Sequence, residues 1–402
     1  NSENTNFSHA MTRLSIIGID EGKQPFLSED GRYSLVFNGE IINYPELKKH
    51  LISKGIKLKT QNSDTEVLLK LLILYKENAL EKLNGMFAFS FYDKKTKKIL
   101  IARDRFGIKP LYFFNNNSFG FASELNTLLK IYQGSININK QAVSDYLSLM
   151  YIMSPETIYE NIYKLKHGHF IIYDISDKKI IIRQWHKHKF CKNEDITYES
   201  AKKEIRDKAI ESIKRWSISD VPISNSLSGG LDSSSISSIL GYNNIDVKNF
   251  TVGFENLDSS FDETKLAKLV ASKYLQKHEC INLKEEYLLN SFDNIINDTH
   301  EPYGGGLPSW FVYEEMSKAY KVGFVGTGVD EFFGNYGNWY NLEKLFSTNE
   351  NTSFENFNKK YFETRCYGNI NEKAKIVNFK LPTTEPTENK LYEIFKSAEG
   401  DI

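Results

Sequence analysis

The chain has 402 residues, 40% hydrophobic and 26% charged, and its 51 Lys and Arg nearly balance 52 Asp and Glu. That balance, without a long run of one sign, argues against a nucleic-acid-binding or membrane-binding surface. The longest apolar runs, such as LLKLLILY, are too short to span a bilayer, and no signal-peptide pattern is read at the start. Cys191, Cys280 and Cys366 have neither metal nor disulfide spacing, so a cytoplasmic protein of roughly two domains is the expectation.

Residues 13–185 read as antiparallel strands. YSLVFNGEIIN (33–43), GMFAFSFYD (85–93) and KKILIARD (97–104) alternate apolar and polar positions between turn-rich breaks. Two helices interrupt them. YPELKKHLISKG (44–55) has Pro45 at a first helical position and Gly55 at the stop, and the segment 63–83 starts with Ser63 and Glu66 in capping-box register. This half is expected to be stacked sheets with flanking helices.

HKHKFCKNEDIT (186–197) reads as a linker, and beyond it the rhythm changes to strand–helix alternation. VPISNSL (221–227) leads to a helix from Asp232, KNFTVGF (248–254) to one from Asp262, and KVGFVGTG (321–328) to one from Asp330. Such repetition predicts an α/β, doubly wound parallel sheet with ligands at the carboxyl ends of its strands. The tail from Ser347 is rich in Asn and Lys, and no structure is assigned to it.

SLSGGLDSSSISSIL (226–240) places two glycines and many hydroxyls where a strand gives way to a helix. Free N–H groups and the helix dipole at such a turn favour an anion, while Asp232 suits Mg²⁺ held by phosphates. No Lys follows in GxxxxGK[ST] spacing, so a nucleotide-hydrolysing P-loop is excluded. The plain alternative is a helix capped by Asp or Ser after a glycine turn.

LSGGLDSS resembles the pyrophosphate loop (PP-loop) of ATP pyrophosphatases, which activate a carboxylate or carbonyl as its adenylate. GTGVDEFFGNY (326–336), FTVGF (250–254) and FDET (261–264) resemble the synthetase domain of asparagine synthetases. The resemblance implies ATP at Leu227, Ser228, Gly229, Gly230, Asp232, Ser233, Ser234, Val252, Val325 and Gly326. It implies Mg²⁺ at Asp232 and Asp330, and the adenylate intermediate near Thr327. Asp330 and Glu331 could equally be two acids favouring a helix N-terminus.

In the first half, RLSII (13–17), FNGEIINY (37–44), SDTE (63–66), GMFAFSFYD and RDRFGIKPLYF (103–113) occur in the order found in the glutaminase domain of asparagine synthetases. That resemblance implies an N-terminal-nucleophile, antiparallel αββα sandwich. It implies glutamine binding by Arg13, Leu14, Ile16, Ile17, Asn38, Gly39, Glu40 and Asp64. Arg13 is suited to pair the ligand carboxylate bidentately, and Glu40 and Asp64 to hold its ammonium. Asn38 and Gly39 would form the oxyanion hole, each donor typically worth ~3 kcal/mol. Each motif has a plain alternative: Asn38-Gly39 is also a strong hairpin-turn dipeptide, Asp64 a helix-start acid and Arg13 a surface charge.

The family nucleophile is an N-terminal Cys a few dozen residues before the Arg-Leu segment. Twelve residues precede Arg13 and none is Cys. A chain that has lost its beginning, rather than a dead glutaminase, is expected, and one that has lost its end. The expected domains are residues 1–190 for the glutaminase and 198–402 for the ATP-pyrophosphatase. Thr327 stands where the family has an acid, and EPYGGGLPSW (301–310) is Gly-rich where a substrate-facing loop is expected, with a flexible turn as its alternative.

The expected function is glutamine- and ATP-dependent amidation of a carboxylate, aspartate to asparagine by family default, releasing AMP and pyrophosphate. Alternatives are another carboxylate, such as a sugar acid in surface polysaccharide synthesis, a cyclising amide synthetase with a silent glutaminase half, or a nucleotide-binding regulator without catalysis. A homodimer is expected from the resemblance alone.

Overall fold

The computed structural model describes residues 7–189, 191, 195–255, 263–334, 340, 343–344, 353–367, 370–380 and 387–398. Strand alternation builds the first half. In β2 (Tyr33–Ile41), Leu35, Phe37 and Ile41 enter the main core, which leaves Val36, Asn38 and Glu40 for the opposite face. β2 pairs with β1 (Phe26–Leu27) and β3 (Gly85–Asp93), and the sheet continues through β4 (Lys98–Arg103), β8 (His169–Asp174) and β9 (Lys179–Gln184) as six antiparallel strands.

Helices α1 (Tyr44–Ser53) and α2 (Asp64–Tyr75) cover one face, burying Leu51, Leu68, Leu72 and Phe87. On the other face Ala88, Ile99, Ile101 and Ile171 meet Leu111 and Phe113. Phe113 belongs to a three-stranded antiparallel sheet of β5 (Tyr112–Asn115), β6 (Phe119–Ala122) and β7 (Tyr163–Lys164). Its outer residues, Tyr112 and Phe114, pack on Leu125 and Leu128 of α3 (Leu125–Ile131). Helix, sheet, sheet and helix follow in the expected αββα order.

Local signals are realised with one change. Pro45 lies in the first turn of α1, and Gly55 sits one residue past its cap with φ +77°. Ser63 Oγ accepts the Glu66 N–H at 3.4 Å, but the Glu66 carboxylate accepts from the Lys59 and Thr60 N–H groups instead of returning to Ser63. Only half of the capping box forms, because the preceding turn offers the acid better donors.

The second half contains α5 (Tyr198–Trp216), β10 (Ile223–Ser226), α6 (Leu231–Tyr242), β11 (Val247–Phe254), α7 (Thr264–Lys273) and β12 (Lys277–Leu283). Short helices α8 (Glu285–Asn290) and α9 (Phe292–Thr299) precede α10 (Leu307–Ser317), β13 (Val322–Phe324) and α11 (Val329–Phe333). The sheet is parallel in the order β12-β11-β10-β13. Winding runs outward from β10 to β12 and resumes on β10's other side at β13, so the switch point lies between β10 and β13. α7 begins at Thr264, and the helix start expected at Asp262 lies outside the described residues, as does Phe261.

The halves meet along a polar seam. The Gly18 N–H donates to Asp220 Oδ2 (2.9 Å), and the Asp220 N–H donates to the Ile16 carbonyl (3.1 Å). The expected linker starts out docked: the Trp185 and His186 N–H groups both donate to the Gly168 carbonyl. Of the tail, Phe354–Arg365, Ile370–Ile376 and Thr387–Ala398 are helical. The last lies on α4 (Lys140–Leu149) in the first half, where Thr387 Oγ1 and Lys390 Nζ reach the buried Asp145 carboxylate at 2.8 and 2.7 Å. Among the described residues no helix is long and apolar enough to cross a membrane.

Candidate functional site

A cavity of about 560 Å³ opens between the two sheets of the first half, bounded by the 10–17 segment. Arg13, Leu14, Ile16 and Ile17 line it from that segment, and Asn38, Gly39 and Glu40 line it from β2. Asp64 enters from the first turn of α2, so every residue expected to face glutamine meets here. His9 pins the segment by bridging the Ser34 and Ser90 hydroxyls at 2.7 and 3.2 Å, and burial holds its imidazole down at about 4.

Asn38-Gly39 is no hairpin turn; it lies within β2. Gly39 has φ +145°, and an added Cβ would stand 2.0 Å from the Met86 carbonyl oxygen. At Gly85, on the facing strand, a Cβ would stand 2.1 Å from the Glu40 carbonyl oxygen. The main chains press together there, and only glycine fits either side. Asn38 Nδ2 donates to Ser123 Oγ at 3.1 Å, with its second hydrogen still to place.

Two acids share the cavity. Burial first, and then the Asp64 charge, push Glu40 up to about 7, against the pull of Lys109. Burial likewise pushes Asp64 up to about 6, opposed by the Ile41 N–H, Thr65 and Arg13. Glu40 Oε1 is buried without a hydrogen-bond partner among the described residues. Such a pair invites a cationic ligand.

The expected fork of Arg13 is turned elsewhere. Nη1 donates to Ser15 Oγ (3.0 Å) and the Ile19 carbonyl (2.8 Å), and Nη2 to the Ile17 and Gly18 carbonyls (2.9 and 3.0 Å). Both terminal nitrogens thus shape the 15–19 turn rather than facing the cavity as a bidentate clamp. None of Cys191, Cys280 and Cys366 lines the cavity.

At the switch point of the second half, residues 227–230 lead from β10 into α6. Leu227 is fully buried. Its N–H donates to the Phe250 carbonyl (2.8 Å) and its carbonyl accepts from Thr251 Oγ1, which also pairs with His278 Nε2 at 2.8 Å. Val252 follows Thr251 along β11. Ser228 and Ser233, expected as ligand donors, hold the loop itself together: their Oγ atoms are 3.0 Å apart, and Ser233 Oγ accepts the Ser228 N–H at 3.2 Å. The Gly230 N–H is also used, donating to Ser228 Oγ at 3.2 Å. Among the described residues no side chain caps the N-terminus of α6, and Ser234 Oγ is buried without a partner. Those features leave an anion-seeking helix end.

The 325–328 loop, which carries Val325, Gly326 and Thr327, closes on this turn from β13. A Cβ at Gly326 would stand 3.0 Å from Asp232 Cβ and 3.1 Å from the Ser233 nitrogen. Asp330 opens α11, and its charge reaches Asp232: burial raises the Asp232 pKa first, Asp330 second. Among the described residues no three His, Cys, Asp or Glu side chains gather as a metal cage. Two neighbouring carboxylates and an uncapped helix end fit Mg²⁺ completed by phosphate oxygens better than a protein-only cage.

The two halves match two family models, a glutamine amidotransferase domain over residues 2–186 and asparagine synthase over residues 204–385. Glutamine-hydrolysing asparagine synthetase 1 of Bacillus subtilis strain 168 is 38% identical over 329 residues, covering 81% of this chain and 51% of the relative. A candidate glutamine-hydrolysing asparagine synthetase, number 2, of Methanocaldococcus jannaschii is 34% identical over 366 residues, covering 84% and 68%. The chain belongs to the glutamine-hydrolysing asparagine synthetase family. It spans about half the length of the Bacillus relative.

Against the asparagine synthetase pattern, the Gly-rich segment after His300 does something unexpected. Glu301 Oε2 accepts from Tyr112 OH and from Lys164 Nζ, each at 3.2 Å, and the Gly304 N–H donates to the Met150 carbonyl at 2.8 Å. A Cβ at Gly304 would stand 2.6 Å from Met150 Cβ, so this glycine permits a close approach of the halves. Lys109, Ser123 and Thr251 were not singled out from sequence. Lys109 lies within RDRFGIKPLYF, while Ser123 carries no local signal.

Proposed function

We propose that this asparagine synthetase homologue releases ammonia from glutamine in its first half and activates a carboxylate with ATP in its second. The carboxylate attacks the α-phosphorus and pyrophosphate leaves; ammonia then displaces AMP from the acyl-adenylate to give the amide. Aspartate is the acceptor the family implies. The observation that carries the reading is the convergence of the 227–234 turn and the 325–330 segment at the switch point, with Asp330 acting on Asp232.

Glu40 and Asp64 receive the glutamine ammonium, which supplies the positive charge their burial lacks. The second Asn38 Nδ2 hydrogen and the Gly39 N–H would stabilise the oxyanion formed when the N-terminal Cys that the family implies adds its thiolate to the amide carbon. Collapse expels ammonia to leave a thioester, and water then releases glutamate and the thiol. Arg13 acts by holding the 15–19 turn, and so Ile16 and Ile17, against the ligand. In the other half the α6 N–H groups and Ser234 take phosphate oxygens, and Asp232 and Asp330 hold Mg²⁺. When bound, Mg²⁺ neutralises phosphate charge and favours departure of pyrophosphate.

Asp232→Ala tests the reading: pyrophosphate release should fall to background with glutamine or ammonium as nitrogen source. Retained ATP–pyrophosphate exchange counts against it. Thr327 favours a second reading of the acceptor, since a neutral hydroxyl cannot act as the general base an acid would supply. A panel of acids decides: release with a sugar acid and not with aspartate replaces the acceptor, and ATP binding without release for any acid leaves only a regulator.

A further inference from the structure

The loop 104–109 takes no part in the chemistry above, yet it touches both halves. It is wound around one buried carboxylate. Asp104 Oδ1 accepts the N–H groups of Phe106 and Ile108, both at 3.0 Å, and Oδ2 accepts those of Lys109 (2.9 Å) and Phe87 (3.2 Å). Arg103 closes it from outside, donating to the Gly107 and Lys109 carbonyls at 2.8 Å each. With its main chain clamped on both sides, the loop moves as a unit or not at all.

Two of its residues face different places. Lys109 lines the cavity, where its ammonium acts on Glu40. Phe106, midway along the loop, stacks on His188 with ring centroids 4.5 Å apart and meets Phe332 edge to face, centroids 5.7 Å apart and planes at 82°. Phe332 belongs to α11, two residues beyond Asp330. That short helix hangs between Gly328 (φ +101°) and Gly334 (φ +62°), left-handed positions that let it pivot as a piece.

We infer that the 104–109 loop is a strut through which occupancy of the cavity and occupancy of the crevice influence one another, with Phe106 as its positioning residue on Phe332. The inference rests on the two ligand sites proposed above. A ligand ammonium arriving at Glu40 adds a positive charge facing Lys109, and the clamped main chain transfers that push to Phe106. Phosphate and metal drawn between Asp232 and Asp330 set the tilt of α11, and so the place of Phe332. Linkage then requires each ligand to alter the other's affinity by the same factor.

Titration calorimetry on the full chain, with glutamine and a non-hydrolysable ATP analogue plus Mg²⁺, reads this factor directly. Glutamine should bind about two- to ten-fold more tightly in the presence of the nucleotide, the range a single aromatic edge contact can transmit. Phe106→Ala and Phe332→Ala should each abolish the factor while leaving the separate affinities intact, which also shows that the variants are folded. The double variant should add nothing, and Phe106→Tyr should keep the factor. Coupling that survives Phe106→Ala, or no coupling in the unaltered chain, overturns the strut while both sites stand. Failure of either ligand to bind the unaltered chain overturns the site assignment, and the strut with it.

Discussion

In the cavity of the first half the groups proposed to face glutamine are side chains of β2, α2 and the 10–17 segment, whereas at the crevice of the second they are largely main-chain groups gathered by two loops. Burial follows that division. Glu40 and Asp64 sit in the sandwich wall, where desolvation lifts both toward neutrality. Asp232 is half-buried, and its carboxyl is raised first by burial and then by the Asp330 charge beside it. One site is enclosed between two packed sheets; the other lies where two loops meet at the switch point, with its two carboxylates already within reach of each other.

The sharpest way to break this contrast is at the glycines. Gly39→Ala should destabilise the first half by about 3 kcal/mol or more, because main chain rather than a flexible side chain blocks the new methyl. At Gly230 the nearest obstacle to a Cβ is Ser228 Oγ at 3.2 Å, so Gly230→Ala should still fold. Thermal and denaturant unfolding of both variants checks the pair; equal losses would erase the distinction.

A smaller effect separates the sites by pH. With Glu40 near 7, the carboxylate proposed to receive the glutamine ammonium is ionised at pH 8 and protonated as pH falls through 7. Glutamine affinity should therefore weaken on acidification, by up to about ten-fold per unit below 7, and Glu40→Gln should flatten the profile at its weak end. The same raised pKa makes the folded state bind the proton more tightly than the unfolded chain. Stability from this group is thus greatest below its ordinary value of 4.5 and is lost as pH rises toward 7. Calorimetric titration between pH 5.5 and about pH 8 reads the affinity.

Smallest is the support beneath the phosphate turn. Thr251→Val removes the donor to the Leu227 carbonyl and strands His278 Nε2. A net loss of about 1 kcal/mol in ATP affinity, roughly five-fold, is expected, read with a fluorescent nucleotide. An unchanged affinity would mean the turn needs no such brace.

What could be read from the sequence followed the same division. The phosphate turn is contiguous, so its glycines, serines and Asp232 announced themselves in one stretch, although Ser228 and Ser233 turned out to face each other. The αββα order followed from period-two alternation and short helical patches. Arg13 shows where such reading stops: its residue type suggested a clamp, but the carbonyls of 17–19 became its partners only once the turn was folded. Asn38-Gly39 had the look of a hairpin, and only the register against Met86 and Phe87 reveals why glycine stands in mid-strand. Glu301 with Tyr112 and Lys164, or Asp145 with Lys390, join positions too far apart in the chain for any local pattern to signal.

That last contact has a mechanical consequence. The chain leaves the first half at the linker and builds the parallel sheet, and the 387–398 helix then returns to α4 and Asp145. The two bodies are therefore clasped at the linker and again through the 387–398 helix, and a nick in the linker alone leaves that second clasp fastened.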